Sequence, residues 1–528
     1  MPYFHSLFSD NRVRSAELAL LLVIALLLAG CSREQINEAA PATPAIVSRS
    51  EPTGDALTPT PTPTVSPTAT STPRPTPTPT STPTITSPPT PGPTVAPDIA
   101  AAPIRVREGD FLSTVAMRYH IGLNELVAYN HIENPDAVAA GQRLMIPYHA
   151  NQITPAQILL PDSELVYGPA YQKFKIEAFV QAQGGWLAQY SQPWFDGQTI
   201  TGAQLVDYVA MRYSVGPRVL LALLEARSGW VTNSNRPQGY DLDYPLGHLA
   251  TGGGLEVQLE WAADALNSGF YGWLERGETG IRFRDYRIAR GAPGLNPGTI
   301  AIQRTLAQDT TFEELPREID AFMTAYRRLF GNPSQYDQGR IIPWGLQQPA
   351  MKFPWEPGSW WFLTGGPHGA WGQGSSWAAL DFVPEDAPIG GCTPATSWAR
   401  AVAPGIVVYN NRGELLVDMD GDGDVRTGWV IQYLHISDRP AKGAKLQTGD
   451  IIGHPSCEGG QAASSHLHIA RRYNGVWMAA GGSIPFQLDG WRAFAVGTAY
   501  EGGMIGPEGK KLIACDCREK NINGIWLK

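Results

Sequence analysis

Between Leu18 and Leu28 the chain carries an unbroken apolar run, preceded by Arg12 and Arg14. A run this short falls below the roughly 20 residues of a spanning helix and suits the core of a secretory signal peptide. From about Ala40 to Pro97 the hydrophobic pattern disappears and Thr alternates with Pro, as in Thr58-Pro59-Thr60-Pro61-Thr62-Pro63-Thr64. Such a stretch builds no core and predicts an extended, polyproline-like spacer, whose roughly 60 residues reach on the order of 150 Å. Pattern returns at Ile104. Alternation over Ile104 to Arg107, then Leu112, Val115, Ala116 and Tyr119, then Leu123, Leu126 and Val127, then Leu144 to Ile146, predict strand, helix, helix, strand.

From Pro155 to about Ile342 the period is helical, as in Leu205, Val206, Val209, Ala210 and Tyr213. A further helix over Val219 to Ala226 is opened by Gly216-Pro217, which suits Pro in a first turn. Beyond Pro343 the runs shorten and Gly and Pro punctuate them, as in Ile406-Val407-Val408-Tyr409, Leu415-Leu416-Val417 and Trp429 to Leu434. That texture reads as an antiparallel β domain. The expected fold class is multidomain α+β: signal peptide 1–31, Pro/Thr-rich linker 32–102, a βααβ module 103–149, a mainly helical domain 150–342, and a mainly antiparallel β domain 343–528.

Length and composition agree, since 528 residues, 43% of them hydrophobic, supply material for several cores. A net charge of -9 argues against nucleic acid as partner. Of the five cysteines, Cys31 stands alone near the start, while Cys392, Cys457, Cys515 and Cys517 lie in the last third. Export would let disulfides persist, and three pairings are open. Cys392 with Cys457 is favoured, because both sit in Gly-rich loops and closing so long a loop stabilises by about 4 kcal/mol. Cys515 with Cys517 closes only with strain.

Leu28-Ala29-Gly30-Cys31 resembles the lipobox of bacterial lipoproteins. The resemblance implies that Cys31 is lipidated and becomes the mature N-terminus of an extracytoplasmic, membrane-anchored protein. Residues Ile104 to Pro147, with the Gly109-Asp110 turn, Asn130, the Asn134-Pro135-Asp136 turn and Gly141-Gln142, resemble a LysM domain. That implies binding of N-acetylglucosamine-containing glycans such as peptidoglycan strands. The groove would lie between Gly109, Asp110 and Phe111 on one side and Asn134 and Pro135 on the other. In the helical region Leu223-Leu224-Glu225-Ala226-Arg227-Ser228-Gly229-Trp230 faintly resembles the catalytic-glutamate helix of lysozyme-like transglycosylases. Arg227, however, stands where the general acid belongs, and Glu225 lies on another face of the helix. A structural domain is therefore expected there, with a degenerate lysozyme-like fold as the alternative.

The chemistry concentrates in His368, Asp381, His435, His466 and His468. On a strand, His466 and His468 project from one face because side chains two apart do so. Two imidazoles and one carboxylate around zinc leave a fourth position for water, the mark of a catalytic rather than a structural site. The metal acidifies that water and polarises a carbonyl, and two spare histidines can serve proton transfer and oxyanion stabilisation. Gly-Gly-Pro-His368, Leu-Asp381-Phe, Tyr-Leu-His435 and His466-Leu-His468 resemble the M23 zinc metallopeptidases, in particular the β-lytic protease and LasA-type staphylolysin branch. The commoner lysostaphin-like pattern has a His four residues before the Asp, where this chain has Trp377.

The resemblance implies that His368, Asp381 and His468 bind one catalytic zinc, that His466 is the general base, and that His435 steadies the tetrahedral intermediate. Tyr500 would be the family's hydroxyl donor. Asp418, Asp420 and Asp422 fit the start of an EF-hand-type calcium loop, but its twelfth position, which needs a bidentate Glu, is Trp429. An acidic hairpin turn is the expectation there rather than a Ca²⁺ site. Together these readings imply a lipid-anchored zinc endopeptidase that hydrolyses peptide stems or cross-bridges of peptidoglycan at glycine-containing bonds, targeted by LysM. The alternative is a non-catalytic envelope lipoprotein that activates cell-wall amidases, and the completeness of the ligand set separates the two.

Overall fold

The computed structural model describes residues 100–528 apart from positions 108, 120, 149–151 and 196. Cys31, the apolar run and the Thr/Pro stretch lie outside the described residues. Among the described residues no helix is long and apolar enough to cross a membrane.

The first module pairs strand Ala100–Arg105 antiparallel with Arg143–Tyr148, Ile104 facing Leu144. Helices Leu112–Arg118 and Leu123–Tyr129 supply the other half of its core, burying Leu112, Val115 and Leu126 against Ile104 and Ile146. Asn130 ties the second helix to the closing strand: its side chain donates to the Met145 carbonyl at 2.7 Å and accepts the Met145 N–H at 2.6 Å. Ile288, from a hairpin of the next domain, completes this core.

That next domain is built on helices Gly202–Tyr213, Pro217–Ser228, Leu255–Glu275, Pro297–Ala307 and Leu315–Phe330. Local signals set their ends. Thr201 and Gln204 form a capping box, Pro217 occupies a first turn, and Gly229 closes a last turn at φ 69°. A side chain on Gly269 would meet the Ala301 backbone at 2.6 Å, so glycine is what lets the helices Leu255–Glu275 and Pro297–Ala307 approach closely.

The C-terminal domain is an antiparallel sheet. Its strand order is Lys445–Leu446, Gly405–Asn411, Glu414–Asp418, Trp429–Leu434, Leu467–Tyr473, Ala379–Pro384, Trp360–His368 and Gly524–Trp526. The central strands are buried on both faces. One face packs on the sheet's own core of Phe382, Ile431, Tyr433, Leu467 and Ile469. The other meets the helical domain through Ala470, Trp477 and Met478. Some polar residues on that second face bond across the junction. Arg212 donates to Glu414 at 3.0 Å, Arg472 to the Met211 carbonyl at 2.9 Å, and Ser214 to the Gly475 carbonyl at 2.6 Å.

Cys392 is bonded to Cys457. Cys515 is bonded to Cys517, the closure that the spacing disfavours. Asp418 to Thr427 form the turn between strands Glu414–Asp418 and Trp429–Leu434, as expected of an acidic hairpin. Its carboxylates accept the loop's own amides, Gly423 N–H on Asp418 at 2.8 Å and Asp424 N–H on Asp422 at 2.7 Å. Asp418, Asp420 and Asp422 lie close enough together to hold an ion.

Candidate metal centre

Three neighbouring strands converge on one point. Asp381 pairs directly with His468, and His468 in turn with Leu434, the residue before His435. His368 ends the next strand out, whose register slips twice between Leu363 and His368. The slip carries the His368 imidazole inward: its Nε2 lies 3.1 Å from His468 Nδ1 and 3.3 Å from Asp381 Oδ1. His468 Nδ1 is also 3.1 Å from Asp381 Oδ1. One ligand atom from each residue lies within 4.8 Å of the others, and all three residues are buried. Gly365 has to be glycine, because a Cβ there would collide with the Asp381 carboxylate.

The remaining ring nitrogens show whether these residues suit a metal. A carbonyl oxygen only accepts, so any imidazole nitrogen facing one carries the proton. His368 Nδ1 faces the Gly366 carbonyl at 2.7 Å, and His468 Nε2 faces that of Ala370 at 3.2 Å. Each ring is thereby fixed in the tautomer whose bare nitrogen points at Asp381, the orienting shell found around zinc-ligating histidines. The donor set of two imidazoles and one carboxylate fits zinc in a site with room for a further ligand.

The two other histidines follow the same rule. His466 Nδ1 faces the Ser464 carbonyl at 2.7 Å and His435 Nδ1 that of Glu458 at 3.1 Å. Their Nε2 atoms are therefore bare, and their ring centroids are 4.5 Å apart. His466 Nε2 sits 3.8 Å from Asp381 Oδ1, at the edge of the ligand triangle. His435 has φ 62°, a left-handed backbone uncommon outside glycine, which turns its ring toward the site just after its strand ends. Burial and the neighbouring histidines His466 and His468 push the His435 pKa down to about 3. Neutral, with Nδ1 protonated, its Nε2 is an acceptor and not a donor. Steadying an oxyanion requires that it first take up a proton.

Burial alone would raise the pKa of Asp381, but His368 and His466 outweigh it and hold the carboxyl well below the usual range. Burial lowers His468, while for His368 the attraction of Asp381 overcomes burial and raises it. Tyr500 stacks its ring on His368, centroids 4.2 Å apart, and its backbone brackets Gly366 and Pro367. Of the tryptophans near the motifs, Trp361 stacks on Trp355 in the core and Trp360 packs on Trp526. Trp371 covers Arg212, and Trp377 faces Arg143 and Arg276. His454 stacks on Trp398.

Sequence reading missed what holds the loop between His368 and Asp381. Asp264 of the helical domain accepts the Gly374 N–H at 2.7 Å, and Glu275 accepts the Ser376 hydroxyl at 2.8 Å. Arg105 of the first module donates to Gln373 at 2.5 Å. These partners lie about a hundred residues or more away in sequence, and no local signal marks them.

Elsewhere, Gly109, Asp110 and Phe111 form the turn into the first module's helix. Asp110 accepts two bonds from Arg118, and Phe111 is 69% exposed, a free apolar surface beside that turn. Asn134 accepts the Asp136 N–H in the other turn, next to Pro135. Glu225 accepts the Val231 and Thr232 N–H groups and pairs with Arg328, so its carboxylate braces the turn that follows its helix.

Comparison with known families bears on these domains. Residues 104–147 match the LysM domain model. Residues 158–344 match a model described as LasA, N-terminal domain. The match spans nearly the whole helical unit. No curated protein matches the chain in sequence.

Among solved structures, the M23 metalloprotease pseudoalterin from the deep sea is similar at 22% identity, covering 32% of this chain and 96% of that one, with TM-score 0.27. The catalytic domain of lysostaphin from Staphylococcus simulans is similar at 22% identity, covering 23% and 87%, TM-score 0.16. A zinc-containing peptidase from Vibrio cholerae is similar at 17% identity, covering 27% of this chain and 41% of that one, TM-score 0.20. This chain thus spans less than half of the Vibrio protein.

Proposed function

We propose that this chain is a zinc endopeptidase that cuts peptide bonds in cell-wall peptidoglycan, at glycine-containing positions, with its LysM domain holding the glycan. We also propose that Cys31 carries the lipid that tethers it to the cell envelope, with the Thr/Pro stretch as spacer. The observation that carries the reading is that each of four histidines turns one ring nitrogen to a backbone carbonyl and leaves the other bare, two of them beside Asp381. A protein that only regulates another enzyme has no use for both a complete ligand set and a poised base.

When bound by His368, Asp381 and His468, zinc supplies a Lewis acid that makes a water nucleophilic at neutral pH and polarises a carbonyl. The chain's own residues do the rest. His466 Nε2 accepts the proton of the attacking water and, once protonated, can deliver it to the leaving amine. His435, 4.5 Å away ring to ring, becomes a donor toward the substrate oxygen only after sharing that proton. Tyr500, stacked on His368, supplies a hydroxyl at the rim.

The test is mass spectrometry of peptides released from purified cell walls and from a glycine-rich peptide by the full chain, with and without a chelator. New amino termini following glycine, lost on chelation and restored by zinc, are expected. Release of intact stem peptides from the glycan would indicate an amidase instead.

A further inference from the structure

A cleft of about 590 Å³ opens between the LysM domain and the LasA N-terminal domain, on residues that the metal centre does not use. Its lining is markedly cationic and aromatic, including Arg107, Arg227, Arg282, Arg284, Tyr240 and Tyr286. Two of the guanidiniums are already committed, Arg227 to Glu318 at 2.8 Å and Arg284 to Glu314 at 3.2 Å. The Arg107 guanidinium meets the Tyr286 hydroxyl at 3.4 Å, and among the described residues neither it nor Arg282 forms a side-chain ion pair. Two cations therefore face the cleft with their charge unspent. Asp241 is in the lining and offers an acceptor for hydroxyl groups, while Asp309 is already paired with His248 at 2.8 Å.

Tyr286 provides a second, independent observation. It sits at the tip of the hairpin joining strands Gly280–Arg282 and Ile288–Arg290, with φ 68°. A bulky side chain in the left-handed region is strained, and such strain collects where a side chain is held for binding. Here it sets the ring edge-on to Tyr119 of the LysM domain and under Arg107. Arg107 is also only two residues from Gly109 of the first LysM loop.

We infer that this cleft is a second glycan subsite, one that takes a carboxylate-bearing sugar of the strand whose neighbouring sugars lie on the LysM loops. Guanidiniums match a carboxylate in a forked geometry. Tyrosine rings give a sugar its apolar face, and Asp241 accepts a hydroxyl. In a peptidoglycan strand every second sugar bears a lactyl carboxylate once the peptide is removed, whereas a chitooligosaccharide of the same length bears none. Arg107 and Arg282, one from each domain, thus read charge while the LysM loops read the neutral sugar. The inference rests on the wall-glycan part of the proposed function and is independent of the peptidase part.

The experiment is calorimetric titration of the full chain carrying His466→Ala with two probes of equal length, peptide-free peptidoglycan strands and chitooligosaccharide. Tighter binding of the carboxylated strand by about tenfold is expected, weakening with salt. Arg107→Gln with Arg282→Gln should abolish that preference while leaving chitooligosaccharide affinity unchanged, which also shows that the variant is folded. Equal affinity of the parent for both probes, or a preference that survives in the double variant, would overturn the subsite. So would tighter binding of a polyol-phosphate polymer than of the carboxylated strand. Failure to bind either probe would instead count against glycan binding by the LysM domain, and would overturn the subsite with it.

Discussion

At the scale of residues, the site is organised by backbone carbonyls more than by side chains. Four imidazoles each spend one N–H on a carbonyl, of Gly366, Ala370, Ser464 or Glu458, and so present four bare nitrogens to one small volume. Without metal, that arrangement is sensitive to acid. His435 and His468 are held below the ordinary imidazole value of 6.5 by burial, so between there and about pH 3 the unfolded chain binds protons that the folded site refuses. Stability from these groups is complete above pH 6.5 and is lost as pH falls. Asp381, depressed, adds a loss below its unfolded value of 3.8. His368, raised, has the opposite sign, and its contribution is lost as pH rises through its folded value. The metal-free protein is therefore expected to melt at progressively lower temperature from pH 6.5 toward 3, and His435→Gln to flatten that slope. A melting temperature independent of pH over this range would contradict the tautomers assigned here.

The identities of these five residues were legible in the sequence, because His-x-His on a strand and Asp before Phe survive as local patterns. Their convergence was not. It depends on the two register slips before His368 and on the left-handed turn at His435, which are set by strand pairing and leave no composition signal. Nor did residue types reveal that His435 is neutral, since that follows from burial.

At the scale of elements, the loop from Gly369 to Ala378 joins two ligands and is itself held from outside. Asp264 and Glu275, both on the helix Leu255–Glu275, accept from Gly374 and Ser376, and burial raises both carboxyls, that of Glu275 to about 7. His468 also leans on this loop through the Ala370 carbonyl. Asp264→Ala should therefore loosen the orienting shell and weaken zinc binding by roughly 10- to 100-fold, the usual cost of losing outer-shell support. A competitive chelator titration measures it, and an unchanged zinc affinity would assign Asp264 to packing alone. The helix periods of this region were readable from Leu205 to Tyr213 and from Val219 onward. What these helices grip was not, because the partners come from distant parts of the chain.

At the scale of the whole molecule, the helical domain and the C-terminal sheet share one core. Trp477 and Ala470 are buried among helical-domain residues, and Arg212 and Glu414 form a buried ion pair across the junction. Removing one member of such a pair costs about 3–5 kcal/mol, since the other is left uncompensated. The boundary near Pro343, drawn from a change of texture in the sequence, thus separates two compositions and not two independent folding units. Residues 343–528 expressed alone should aggregate or melt well below residues 152–528, as read by size exclusion and calorimetry. Equal stability of the two fragments would contradict the shared core.

The central claim is that His368, Asp381 and His468 hold the metal while His466 moves the proton. It is tested most directly by metal content and wall hydrolysis measured together on the full chain with His466→Ala. The account predicts one zinc per chain retained, with hydrolysis reduced by about 10²- to 10⁴-fold, the range for loss of a general base. Loss of the zinc together with the activity, or full activity in the variant, would contradict it.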